Sequence, residues 1–180
     1  MTSHSTGGSK KQSGSRAATN AKGADAVRHL DDVEMAAWRT FIETYNDLIN
    51  TLQADLEPSG LALGDYQVLV TLSEAENKSM RMCDLAEVLQ LTPSGATRRL
   101  DGLVKAGWVE RRNSEVDRRV MLATLTPAGW DKLHEAFVPH VRSVRAHLID
   151  LIDRDEMKAL ASIFGKVRAH LDSLKDRRPQ

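Results

Sequence analysis

Apolar side chains at Met35, Trp38, Phe41, Tyr45, Leu48, Leu52 and Leu56 recur at spacings of three and four, which sets them in one stripe along a helix. The stripe begins after Asp31 and stops near the breaker cluster Pro58-Ser59-Gly60. A second helix is predicted from about Gly64 to Glu74, with Tyr66, Leu69, Val70 and Leu72 as its apolar content. A short third covers Cys83 to Leu89, and a fourth Pro93 to Ala106. Trp108 to Arg112 and Val120 to Leu125 are brief β-favouring runs on either side of the polar stretch Asn113 to Arg119, so they predict a hairpin.

The C-terminal third is helical again. Trp130, Phe137, Val141, Val144, Leu148 and Leu151 follow one stripe, and Met157, Leu160, Phe164, Val167, Leu171 and Leu174 repeat it. Between them Asp153 and Glu156 are spaced as a reciprocal cap. Pro139 is expected to kink the first of these helices or mark a local weakness in it. Three long stripes exceed what a small middle module needs to cover its core, and the surplus predicts helix pairing with a second copy of the chain.

The middle segment carries the candidate chemistry. Thr92 at a cap position followed by Pro93 is a strong helix start. On the helix behind it, Ala96, Leu100, Leu103 and Val104 share an inward face, while Ser94, Thr97, Arg98, Asp101 and Lys105 share the other. Small hydroxyls and an arginine near an N-terminus suit the DNA major groove, and Gly95 permits close backbone approach. The preceding helix ends at a three-residue turn, Gln90-Leu91-Thr92, as in a helix-turn-helix. A hairpin directly after such a helix forms a wing, whose tip pair Arg118 and Arg119 offers charge to a minor groove or to phosphates. Asp117 beside them would repel phosphates, so its expected task is structural support of the wing, holding Arg98 or a neighbouring arginine of the recognition helix.

Charge adds a distribution rather than a total. The 25 basic and 25 acidic residues cancel, but residues 78–120 hold nine basic against six acidic ones and residues 31–77 hold one against ten. The first 29 residues are Ser, Thr, Gly, Ala and Lys with almost nothing large and apolar, which predicts a disordered, mildly basic tail. Cys83 is the one cysteine, which excludes an intrachain disulfide framework and suits a reducing, cytoplasmic setting. No apolar run approaches a membrane-spanning length, and no glycine fingerprint follows a strand, so neither a membrane nor a cofactor is called for and an enzyme is not expected. The six histidines are scattered and give no metal-ligand spacing.

In this order and spacing, M-R-M-C-D-L-A at 80–86, L-T-P-S-G-A-T-R-R-L-D-G-L at 91–103, G-W-V-E-R at 107–111 and D-R-R followed by L-T-P-A-G at 117–129 resemble the MarR family of winged-helix transcriptional regulators. The resemblance covers roughly residues 30–176. It implies a mainly α fold with a small β-hairpin: a winged helix-turn-helix at 62–125, flanked by dimerisation helices at 30–58 and 126–176. It also implies a homodimer binding a palindromic operator in double-stranded DNA, most often as a repressor. By the same resemblance Ser94, Thr97 and Arg98 correspond to major-groove positions and Arg118 or Arg119 to the wing arginine; Thr92, Gly95 and Arg99 complete the candidate DNA-binding set. The wing tip departs from the family pattern, with Ser114-Glu115-Val116 where relatives carry an Asp-Pro-Arg type of sequence, and Glu115 removes charge there.

Family members often take small aromatic effectors between the dimer helices and the winged module, which makes Trp38 the candidate ligand contact. Trp38 and Tyr45 also lie on the dimerising stripe, where ordinary packing is the better account of both. Cys83 at a helix start is a candidate redox thiol. A thiol-sensing regulator and a winged-helix module that binds an acidic protein are the alternatives to ligand-released DNA binding.

Overall fold

The computed structural model describes residues 28–175; apart from residues 28 and 29, the expected basic tail lies outside the described residues. Nine segments follow in order: α1 (Asp32–Leu56), α2 (Leu63–Glu74), β1 (Ser79–Arg81), α3 (Met82–Val88), α4 (Pro93–Lys105), β2 (Val109–Asn113), β3 (Met121–Leu125), α5 (Pro127–His147) and α6 (Arg154–Lys175). Short 3-10 turns occupy Glu57–Ser59, Glu76–Lys78 and Ile149–Leu151. The chain divides into two units between Trp38 and Arg39.

Within the first unit, Asp31 opens α1 with a reciprocal cap. Its Oδ1 accepts the amides of Val33 and Glu34 at 3.0 and 2.9 Å, while Glu34 Oε2 accepts the Asp31 amide at 3.0 Å. Arg28 adds an ion pair to Glu34.

In the second unit one hydrophobic core runs from the end of α1 through the winged segment to α5. Leu56, Val68, Leu69, Leu72, Leu85, Leu100, Leu103 and Val109 are its largest fully buried side chains. The inward face expected of α4 is the buried one, with Ala96, Leu100 and Leu103 inside and Val104 packed against them. The chain leaves α3 through Gln90 in the left-handed region (φ 54°), so that Leu91 donates to the Ala86 carbonyl at 2.9 Å and the helix closes on its own last turn.

The expected hairpin is the larger part of a three-stranded antiparallel sheet ordered β1-β3-β2. Val109 pairs with Leu125 and Asn113 with Met121 across β2–β3, and Ser79 pairs with Thr124 across β1–β3, their hydroxyls 2.8 Å apart. Periodicity misses β1 because three residues hold no period; its order comes from β3, more than 40 positions away in the chain.

α5 contains Pro139 within its span, and Leu148 and Leu151 fall beyond it, at its cap and in the following turn. The Asp153–Glu156 cap forms as spaced: Asp153 Oδ1 accepts the Glu156 amide at 2.9 Å and Glu156 Oε2 the Asp153 amide at 2.8 Å.

Candidate nucleic-acid interface

Thr92 caps α4 through its Oγ1, which accepts the Gly95 amide at 3.1 Å. Gly95 has a local role, since a Cβ there would stand 3.0 Å from that capping oxygen. Ser94, Thr97, Arg98, Asp101 and Lys105 are all exposed, in agreement with the outward face read from spacing. Arg98 makes no salt bridge to any described residue.

Arg99 points elsewhere. Its guanidinium lies 3.5 Å from Asp65 Oδ1 and fills the space that a Cβ at Gly64 would take, so it clamps α4 to the first turn of α2. Burial pushes the Asp65 carboxyl up from its ordinary range, with Arg99 pulling against the shift. Helical spacing contained this answer: Arg99 stands three residues after buried Ala96 and four before buried Leu103.

The wing tip is a hydrogen-bonded loop between β2 and β3. Ser114 Oγ accepts the Val116 amide at 3.3 Å, and the Ser114 amide donates to the Val120 carbonyl at 2.9 Å. Asp117 supports the wing, but by a different route from the one expected. Its Oδ1 accepts the Arg119 backbone amide at 2.9 Å and its carbonyl accepts the Val120 amide at 2.9 Å, so it shapes the turn rather than holding Arg98. A short local bond of this kind wins over a distant pair because it orders only neighbouring residues. Arg118 and Arg119 are left exposed, and Val116 at the tip is 99% exposed.

The tie between wing and α4 is made instead by Arg111 of β2. Its Nη1 donates to Asp101 Oδ1 at 2.6 Å and its Nη2 to the Thr97 carbonyl at 3.1 Å. Sequence reading passed over Arg111, although strand alternation gives a signal. It shares a face with buried Val109, and a cation on the packed face of a strand calls for a partner.

The L-T-P-A-G stretch fixes the wing to the helix behind it. Thr126 Oγ1 accepts the Gly129 amide at 3.0 Å and donates to the Gly107 carbonyl at 2.7 Å, while the Thr126 amide donates to the Trp108 carbonyl at 3.1 Å. A Cβ on Gly129 would come within 2.0 Å of the Trp108 oxygen, so only glycine fits. Gly107, with φ 78°, makes the left-handed turn into β2.

Of the sensing candidates, Cys83 is exposed in the first turn of α3, where its thiol donates to Asp84 Oδ1 at 3.3 Å. Arg81 pairs with the same carboxylate at 2.6 Å, and that hydrogen bond is the main reason the Asp84 carboxyl titrates below its ordinary value. Trp38 is about half exposed on α1. Tyr45 lines a cleft of about 590 Å³ together with Leu63, Tyr66, Gln90, His140 and Val144. His140 lies against the Tyr66 ring at 4.4 Å between centroids; its Nδ1 is buried without a hydrogen-bond partner among the described residues, and desolvation lowers its pKa. A second cleft, of about 330 Å³, is lined by Tyr66, Val70, Trp130, Leu133, His134 and Phe137.

Helix, turn, capped helix and a hairpin that joins β1 in one small sheet define a winged helix-turn-helix protein. AbsC, a MarR family transcriptional regulator from Streptomyces coelicolor, matches the structure with a TM-score of 0.78 and 38% sequence identity, over 81% of this chain and 99% of its own. A second MarR family transcriptional regulator from Streptomyces coelicolor, solved in complex with DNA, matches with a TM-score of 0.76 and 31% identity, over 80% of this chain and 91% of its own. The transcriptional repressor MprA of Escherichia coli (strain K12) is 30% identical over 151 residues, 83% of this chain and 85% of that protein. The MarR family profile matches residues 61–121, from the loop before α2 to the first residue of β3. The chain belongs to the MarR family of transcriptional regulators. Among the described residues no helix is long and apolar enough to cross a membrane.

Proposed function

We propose that the protein represses transcription as a homodimer bound to a palindromic operator, each subunit setting α4 in a major groove and its wing against the adjacent minor groove. The observation that carries this reading is the placement of Arg98, exposed and without a salt bridge to any described residue, on the same outward side of α4 as Ser94 and Thr97, in a module that also exposes Arg118 and Arg119. Arginines left unneutralised where a duplex would lie raise local anion affinity without help from net charge. The DNA-bound relative at 31% identity and the repressor at 30% identity support the same reading. Exposed apolar side chains on α1, α5 and α6 support the dimer.

Release follows from a small aromatic molecule entering the larger cleft, where Tyr45 and Tyr66 supply ring faces and the buried His140 Nδ1 a polar anchor. Tyr66 adjoins Asp65, which pairs with Arg99 of α4, so a shift of α2 reaches the recognition helix directly.

Selection of bound fragments from the source genome tests the reading. An inverted repeat should emerge, Arg98→Ala should weaken binding to it more than to unrelated DNA, and Arg119→Ala should weaken both, each by roughly 1–3 kcal/mol. Recovery of fragments with no shared sequence, or equal affinity of both variants and wild type, contradicts it and favours a protein-binding module.

A further inference from the structure

Arg111 joins the wing to α4 through two acceptors, the Asp101 carboxylate and the Thr97 carbonyl. Thr97 and Asp101 are four residues apart and so stacked on one side of the helix, and the planar guanidinium bridges them with one charge-assisted bond and one bond to backbone. The side chain is mostly covered and its Nε is fully buried, which seats the group rather than leaving it to sample rotamers. Thr97 stands next to Arg98 on the helix surface offered to DNA. Whatever fixes the Thr97 carbonyl relative to β2 therefore fixes the rotation of α4 about its axis relative to the wing.

We infer that Arg111 is a positioning residue for sequence recognition, setting which base edges Arg98 and Thr97 meet when Arg118 and Arg119 engage the backbone beyond. This rests on the DNA-binding reading given above. Arg111 also neutralises Asp101, a carboxylate on the outward face that would otherwise repel phosphates. Charge and geometry separate by substitution: a lysine neutralises equally well, but its ammonium is a point charge without the planar fork that meets the Asp101 carboxylate and the Thr97 carbonyl together. Positioning therefore predicts a loss of discrimination in Arg111→Lys, whereas neutralisation alone predicts none.

The specific probe is the duplex that wild-type protein enriches from a randomised pool, and the nonspecific probe is a scrambled duplex of the same composition. Arg111→Lys is expected to lower the ratio of specific to nonspecific affinity about tenfold, comparable to losing one good base contact. Melting temperature and salt dependence should stay near wild type, because no phosphate contact is removed. Asp101→Asn keeps an acceptor but weakens the charge-assisted bond, so the ratio should fall by about threefold. The double variant should be no worse than Arg111→Lys alone, since the two residues act as one unit. An unchanged ratio in Arg111→Lys, or fully additive losses in the double variant, overturns the inference. Should Arg111→Lys fail to fold, Asp101→Asn carries the test, and an unchanged ratio there overturns it equally. Absence of any enriched duplex for wild type brings down the DNA-binding reading itself, a result distinct from enrichment that is insensitive to position 111.

Discussion

The winged segment and α6 are written in the same periodic code and use it differently. In α4 the residues at helical spacing, Ala96, Leu100 and Leu103, are buried within the chain. In α6 the corresponding stripe, Phe164, Val167, Leu171 and Leu174, stays between 41% and 49% exposed. Phe41 on α1 meets Phe164 with ring centroids 5.4 Å apart, yet it too stays exposed. A helix whose apolar face remains in water gains little from folding on its own, at about 25 cal/mol per Å² of apolar surface covered. The lesson is that periodicity reports a face in need of cover and is silent on whether the cover lies in the same chain. The winged module supplies its own; the proposed homodimer would supply that of α1 and α6.

The strongest way to break this contrast is to charge the exposed face. Phe164→Glu combined with Leu171→Glu is expected to turn the protein into a monomer by sedimentation and to remove tight DNA binding, because an uncompensated carboxylate buried at an interface costs roughly 3–5 kcal/mol. Unchanged mass would show that the face is simply solvated. Leu100→Ala strikes the opposite kind of site, a fully buried leucine, and should lower the unfolding free energy by roughly 2–5 kcal/mol in denaturant titration. Its loss should appear at any protein concentration, whereas that of the α6 variant should be concentration-dependent. Thr92→Ala removes the α4 cap and should cost about 1 kcal/mol in the same titration, with Thr92→Ser restoring it.

The smallest expected effect is one of pH. Burial holds the His140 pKa below the ordinary value of 6.5, so the unfolded chain binds that proton more readily than the folded one. The contribution to stability is complete above pH 6.5 and is lost as pH falls from there through the lower, folded value. Thermal melts across that interval should show a decline that is smaller in His140→Gln. A decline of equal size in the variant assigns the effect to other groups.

Much of the fold was legible in the chain, and for identifiable reasons. The caps Thr92 and Asp153 lie in reach of their own helices, and the stripes of α1, α4, α5 and α6 are long enough to carry a period. β1 was not legible, because Ser79–Arg81 becomes a strand only by pairing with β3. At the candidate interface, the exposed residues Ser94, Thr97, Arg98, Arg118 and Arg119 stand where spacing put them. Asp117 supports the wing from within its own turn rather than through an arginine of α4, and Arg99 pairs across to Asp65 of α2, a partner that adjacency in sequence conceals. Arg111 was missed because its partners lie on another element, although its position on the covered face of β2 marked it.

The most direct measurement is the mass of the protein–DNA complex on the enriched duplex, followed as salt is raised. The account predicts two chains per duplex, with the logarithm of affinity falling steeply and linearly against the logarithm of salt concentration, as expected when several arginines displace counterions. One chain per duplex, or an affinity that ignores salt and does not distinguish the scrambled sequence, would contradict it.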